Sequence, residues 1–236
     1  ANSVNSQDLY QHIAKNGEDF DAILFAPYLF ATTFWGALIH PDRSVLIPCL
    51  HDEPYAYLPV FRYLFSKVRG LIFNASPERD LLESICNIDD LDQRGAVVGM
   101  GFDPVDMQIE NETEKLAALL PERKPYLLYS GRKEQGKNVD CLIDYFTSYR
   151  ENYSKDINLI LIGAGDIPFL EEIPEGVFDL GFVSEEEKAI LMRNATALCQ
   201  PSTNESFSIV MMEAWLQETA VIVHGDCDVT RDHVLK

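Results

Sequence analysis

Tyr126-Leu127-Leu128-Tyr129-Ser130-Gly131-Arg132-Lys133-Glu134-Gln135-Gly136-Lys137, followed by the amphipathic run Val139–Tyr149, decides how this chain folds. A short apolar segment, long enough for one buried strand, gives way to a glycine- and charge-rich loop. Residues with helical spacing follow. Such a strand–loop–helix unit is the building block of a parallel sheet flanked by helices. The same alternation recurs downstream. Strand Leu159–Ile162 runs into Gly163-Ala164-Gly165, and Ser184 caps a helix through Arg193 whose first turn carries Glu185, Glu186 and Glu187. A strand at Ala197–Cys199, a mostly buried helix at Ser208–Leu216, a strand at Val221–Val223 and the start of another helix complete this half.

Upstream, strands are expected at Ala22–Phe25, Val45–Pro48, Leu71–Asn74 and Ala96–Val98. Helices are expected at Tyr28–Ile39, Pro54–Val68 and Pro77–Asn87, the last capped by Ser76 with Pro77 as its first residue. Residues 102–124 differ in character. They contain Pro104, an acidic run around Glu110–Glu114 and Pro121 ahead of Pro125, which reads as an interdomain linker with a short helix near Thr113–Leu120. The expected fold class is α/β with two Rossmann-like domains: 1–101, incomplete with about four strands, and 125–236.

Composition narrows the function. The 236 residues are 47% hydrophobic and 24% charged, an ordinary globular balance, and carry a formal net charge of −19. Nucleic-acid and anionic-membrane surfaces rely on basic patches, so neither partner is expected. The longest apolar runs are too short to span a bilayer. No basic-plus-apolar leader opens the chain, so a cytoplasmic location is expected, in solution or peripheral at the inner membrane. The five cysteines lack CxxC spacing and read as reduced core thiols, and the five histidines show no metal-ligand spacing with them.

Against this acidic background Arg123, Lys124, Arg132, Lys133 and Lys137 cluster, either as a solvated basic loop or as an anion site. Arg132 and Lys137 follow a strand at its carboxyl end, where open α/β sheets place ligands, and both can reach one pyrophosphate. Glu205 and Glu213 bracket a loop-to-helix junction whose amides offer a second anion contact. Either Glu205 merely caps a helix and Glu213 is a semi-buried ion-pair partner, or the two hold a ligand; a carboxylate beside a diphosphate is repulsive, so Glu205 would then suit neutral sugar hydroxyls. Eight residues of helical rise would set the two carboxylates on the order of 12 Å apart, too far for a glycosidase pair. Gly163-Ala164-Gly165-Asp166-Ile167-Pro168 superficially matches a dinucleotide fingerprint. Pro168, however, takes the third-glycine position, and the unit is not the first βα turn of its domain, which favours a tight turn. His51-Asp52-Glu53-Pro54 either presents a histidine to substrate or lets Asp52 or Glu53 complement a helix dipole.

These pieces in this order resemble the retaining glycosyltransferases of the GT-B fold, family 4. The matching segments are Tyr129-Ser130-Gly131-Arg132 with Lys137, residues 161–166, residues 180–187, Cys199-Gln200-Pro201-Ser202, Glu205 through Ala214, and Ala220-Val221-Ile222-Val223. In the first half, His51 matches the family's active-site histidine, and Asn74-Ala75-Ser76-Pro77-Glu78 looks like its strand-to-helix turn. The resemblance implies that Arg132 and Lys137 neutralise a donor diphosphate and that Glu205 binds the sugar. It places the amides of Ser206, Phe207, Ser208 and Ile209 on the phosphates, Glu213 on the ribose, and Gly163 and Val183 near the base. Implied partners are a nucleotide-sugar donor and a glycan or lipid-linked acceptor, with no cofactor and no metal. Ser208 stands where the family usually has glycine, and Gln217-Glu218-Thr219 replaces a small-residue segment. Family members carry further residues at both ends, so the resemblance also leaves open a shortened relative that binds nucleotide sugar without turnover.

Overall fold

The computed structural model describes residues 4–102, 109–167 and 172–236. It divides into two compact units: Ala1–Gly101 with Asn204–Phe207, and Phe102–Thr203 with Ser208–Lys236.

In the first unit, α1 (Gln7–Asn16) is capped by the Ser6 hydroxyl, which accepts from the Leu9 amide at 3.3 Å. There follow β1 (Ile23–Phe25), α2 (Ala31–Ala37), β2 (Ser44–Leu46), α3 (Pro59–Lys67), β3 (Gly70–Phe73), α4 (Ser76–Ile85), α5 (Leu91–Arg94) and β4 (Gly95–Val97). The four strands pair in parallel in simple chain order. Phe25, Leu46, Leu71 and Phe73 bury one apolar centre with Leu64 and Phe65 of α3 and Leu82 of α4. Two expectations need correcting. The helix anticipated over Pro54–Val68 is a 3-10 turn, Pro54–Tyr57, and then α3, broken at Leu58 (φ −68, ψ 134). Pro59 is the cause, because a proline drives the residue before it out of the helical region. The N-cap of α4 is Ala75, with no side-chain cap bond; Ser76 and Pro77 are already helical.

The second unit contains α6 (Glu112–Leu119), β5 (Tyr126–Ser130), α7 (Val139–Asn152), β6 (Asn158–Ile162), β7 (Val177–Gly181), α8 (Glu185–Arg193), β8 (Ala197–Gln200), α9 (Ile209–Leu216), β9 (Val221–Val223) and α10 (Asp228–Leu235). Its parallel sheet runs β7-β6-β5-β8-β9. Every residue of β6 is buried, as a strand covered on both faces requires. Period-two alternation divides the core. Tyr126, Leu128, Ile160 and Ile162 pack with Leu191 and Met192 of α8 and Ala214 of α9, whereas Tyr129, Leu159 and Leu161 pack with Val139, Ile143 and Phe146 of α7.

In the stretch expected as a linker, α6 contributes Leu116 and Leu119 to the first of these clusters. Glu112 binds Arg193 at 2.9 Å and Asn194 at 2.8 Å. Residues 103–108 of that stretch, with Pro104, lie outside the described residues, as does Pro168. The Ser184 cap is as expected and closes a full capping box with Glu187. In α9, by contrast, Met211 and Ala214 are buried while Ile209, Trp215 and Leu216 are exposed, so the helix is not mostly buried.

Candidate functional site

In the second unit the chain leaves β5, runs outward through β6 to β7, and returns to β8 on the other side of β5. This reversal is a topological switch point, and open α/β sheets seat ligands at the carboxyl ends of the strands that flank it. Residues 131–138 leave β5 there and residues 201–208 leave β8. Asn138 Nδ2 donates to the Pro201 carbonyl at 3.1 Å, tying the two segments together, and Gln200 Nε2 donates to Ser208 Oγ at 3.0 Å.

The expected phosphate ligands occupy the first segment. Arg132 is exposed and pairs with Glu134 at 3.2 Å; an exposed pair contributes about 1 kcal/mol at most, so an anion can compete for the guanidinium. Lys137 is half-buried at the end of a 3-10 turn, Gln135–Lys137. Lys133 has another task. Its side chain is fully buried, and its ammonium donates to the Gly163 carbonyl and, at 3.0 Å, to Asp179. Asp179 also accepts from the Gly181 amide at 2.9 Å. The loops after β5 and β6 and strand β7 itself are therefore fastened by one buried cation. Gly163 completes the junction: at φ +117, a Cβ there would lie 2.1 Å from the Gly131 carbonyl oxygen.

Ser208 N-caps α9 in the left-handed region (φ 69, ψ 69). A Cβ is costly in that conformation, which explains why a glycine would suit the position. The Ser208 side chain makes no cap bond to α9, and the first-turn amides carry the partial positive charge of a helix start. Glu213 is half-buried, and its Oε1 accepts from Lys188 Nζ at 2.9 Å; Lys188 also binds Glu185 at 2.6 Å. Burial pulls the Lys188 ammonium down, but the two carboxylates outweigh it and hold its pKa above the usual range. Val183 is half-buried just past β7. The second unit thus brings Arg132, Lys137, Gly163, Val183, Ser208 and Ile209 to the strand ends of one sheet, with Glu213 in the second turn of the helix after β8.

Glu205 and Ser206, both half-buried, and buried Phe207 group with the first unit. Glu205 precedes α9 rather than lying in it, so helical rise does not measure its separation from Glu213. His51 follows β2 in the first unit. Asp52 accepts from Tyr57 Oη at 2.7 Å and Glu53 from Tyr28 Oη at 2.7 Å. Glu53 stands at the N-cap of the 3-10 turn without a side-chain cap bond, its Oε1 taken up by the Tyr28 hydroxyl. Burial and the Glu53 carboxylate push the Tyr28 hydroxyl far above its usual range.

Sequence reasoning missed Lys133 as a loop clamp, Lys188 as the partner of Glu213, and the buried Glu78. Only Glu78 left a signal, a glutamate in the first turn of a helix, where reach-back to preceding amides is common. The five cysteines are free; Cys86, Cys199 and Cys227 lie in the core while Cys49 and Cys141 are half-buried, and burial pushes Cys199 up to about 12. Among the described residues no helix is long and apolar enough to cross a membrane.

The fold is two parallel α/β units, one of which places Arg132, Lys137 and the start of a helix at its switch point. The family model for glycosyl transferases group 1 matches residues 110–234, more than half of the chain, and the chain belongs to that family. No curated protein sequence matches it. Solved structures agree on the GT-B fold. HepE from Anabaena, in complex with UDP and glucose, has a TM-score of 0.73 at 14% identity, over 96% of this chain and 71% of that one. WaaG, a glycosyltransferase involved in lipopolysaccharide biosynthesis, has a TM-score of 0.68 at 16% identity, over 95% and 64%. Sucrose-phosphate synthase from Thermosynechococcus elongatus has a TM-score of 0.69 at 16% identity, over 92% and 59%. The chain thus spans less than two thirds of the length of the last two.

Proposed function

We propose that the second unit binds a nucleotide-diphosphate sugar and that the protein transfers its hexose, with retention of configuration, to a glycan or lipid-linked acceptor. The observation that carries this reading is the switch point, where an Arg132/Lys137 loop and the start of α9 leave neighbouring strands in a chain otherwise strongly acidic. Arg132 and Lys137 neutralise the diphosphate and stabilise the charge that develops on the departing phosphate. The amides of Ser206, Phe207, Ser208 and Ile209 add backbone donors to the phosphates, and Glu205 holds sugar hydroxyls. Lys188 orients the Glu213 carboxylate toward the ribose, with Gly163 and Val183 beside the base. His51 addresses the reacting hydroxyls. The role needs no metal and no cofactor, and suits a cytoplasmic protein, in solution or peripheral at the inner membrane.

HepE was solved with UDP and glucose, which makes UDP the first ligand to try alongside GDP and ADP. Titration calorimetry of the whole chain should find binding to one of them. Each charged hydrogen bond contributes roughly 1.5–3 kcal/mol, so Arg132→Ala with Lys137→Ala should weaken binding by about 100-fold or more. Equal affinity in both proteins would sink the site assignment. Binding without transfer, across a panel of acceptors, would favour a nucleotide-sugar-binding module over a transferase.

A further inference from the structure

Glu78 is 1% exposed, and neither unit's expected chemistry uses it. A carboxylate this deep is expensive unless polar groups surround it. Its partners are backbone amides from two separate loops: Oε1 accepts from Leu50 N at 2.7 Å and Oε2 from Asn74 N at 2.5 Å. The Asn74 bond is ordinary reach-back from the first turn of α4. The Leu50 bond is different, since Leu50 lies 28 residues away, in the segment that follows β2.

That segment is bent into an unusual path. Cys49 sits at φ 52, a left-handed conformation that costs a residue with a Cβ about 1–2 kcal/mol and persists only where the surroundings over-determine it. The Leu50 amide that follows is the group Glu78 holds, while the Pro48 carbonyl before it accepts from Tyr28 N at 3.0 Å. His51 comes next. Its Nδ1 is buried without a hydrogen-bond partner, 3.7 Å from Glu53 Oε1. No hydrogen bond made by Nδ1 orients the imidazole.

We propose that Glu78 is a positioning residue: by gripping the Leu50 amide it sets the backbone that aims His51. A single carboxylate suits the task because its two oxygens can hold two loops at once, joining the start of α4 to the His51 segment. A hydroxyl cap on α4 would satisfy the helix alone. The catalytic consequence rests on the assignment of His51 above.

The test uses the whole chain, isotopically labelled, with Glu78→Gln and Glu78→Asp beside the wild type. Hydrogen exchange at the Leu50 amide should quicken by about tenfold or more in the variants, and the His51 ring resonances should shift. Nucleoside-diphosphate affinity should fall far less than transfer does, because Arg132 and Lys137 lie in the second unit. Sugar transfer should fall on the order of 10- to 100-fold in kcat, the scale expected when a reacting group is misplaced by about 1 Å. Folded variants in which the Leu50 amide and the His51 ring keep their wild-type behaviour, while only the first turn of α4 loosens, would reduce Glu78 to a helix cap and overturn the proposal. If neither variant folds, a wild-type titration decides. The Leu50 amide proton must move together with the Glu78 carboxyl carbon, and independent titration of the two overturns the proposal. Transfer by His51→Ala tests the site assignment separately and leaves the Leu50 readout untouched.

Discussion

Lys133 and Glu78 carry opposite charges into the interiors of the two units, and backbone groups hold both. Lys133 ties the loops after β5 and β6 to β7, and Glu78 joins an amide after β2 to the start of α4. Burial pushes Glu78 up to about 7, although the amides of Asn74, Leu50, Ala75 and Cys49 pull the other way. The folded protein therefore binds this proton more tightly than the unfolded chain does, and the sign follows from that. The contribution of Glu78 to stability is fully present below its ordinary pKa of about 4.5 and is lost as pH rises toward about 7. The loss amounts to as much as about 3 kcal/mol. The neighbouring Cys49 thiol, itself raised by burial, stays neutral across that window. Urea unfolding at successive pH values should show this decline in the wild type, and Glu78→Gln should flatten it. Parallel curves for the two proteins would refute the assignment. Lys133 shows why such residues escape sequence reading: it stands between Arg132 and Glu134 in a charged loop, and only the approach of Gly163 and Asp179 buries it.

Helices with strong end signals were legible, and those governed by neighbours were not. Ser184 and Glu187 announced α8, and α9 was anticipated to within a residue at its start. Pro59 split the helix expected over Pro54–Val68, and β7 went unseen because only Val177 in it is fully buried. In α9 the burial estimate failed because Ile209, Trp215 and Leu216 face away from the Met211–Ala214 side. The N-cap of α9 makes a prediction of its own. Glycine at position 208 would relieve a left-handed strain of about 1 kcal/mol but lose the Gln200–Ser208 hydrogen bond, of similar size. Ser208→Gly should therefore match the wild type within about 0.5 kcal/mol, whereas Ser208→Ala, which loses the bond and keeps the strain, should cost about 1–2 kcal/mol. Chemical denaturation measures both, and an alanine variant as stable as the glycine one would contradict the account.

At the scale of the whole molecule, a net charge of −19 makes self-repulsion a general cost. Raising ionic strength from about 0.01 M to about 0.15 M shortens the Debye length from about 30 Å to about 8 Å and should raise Tm by a few degrees. The exposed ion pairs, such as Arg79–Glu83, oppose this only weakly. A fall in Tm over that range would mean that attractive pairs dominate after all. The sequence by itself determined the α/β class, the two sheets and the order of the motifs along the second. Hydrophobic periodicity and end signals are local, and a parallel sheet built from successive βα units follows from them. Tertiary structure alone decided that Lys133 is a clamp, that Glu213 belongs to Lys188, and that Glu78 reaches the loop carrying His51. Each of those facts joins residues tens of positions apart, and a charge discloses its partner only after folding has removed the water around it.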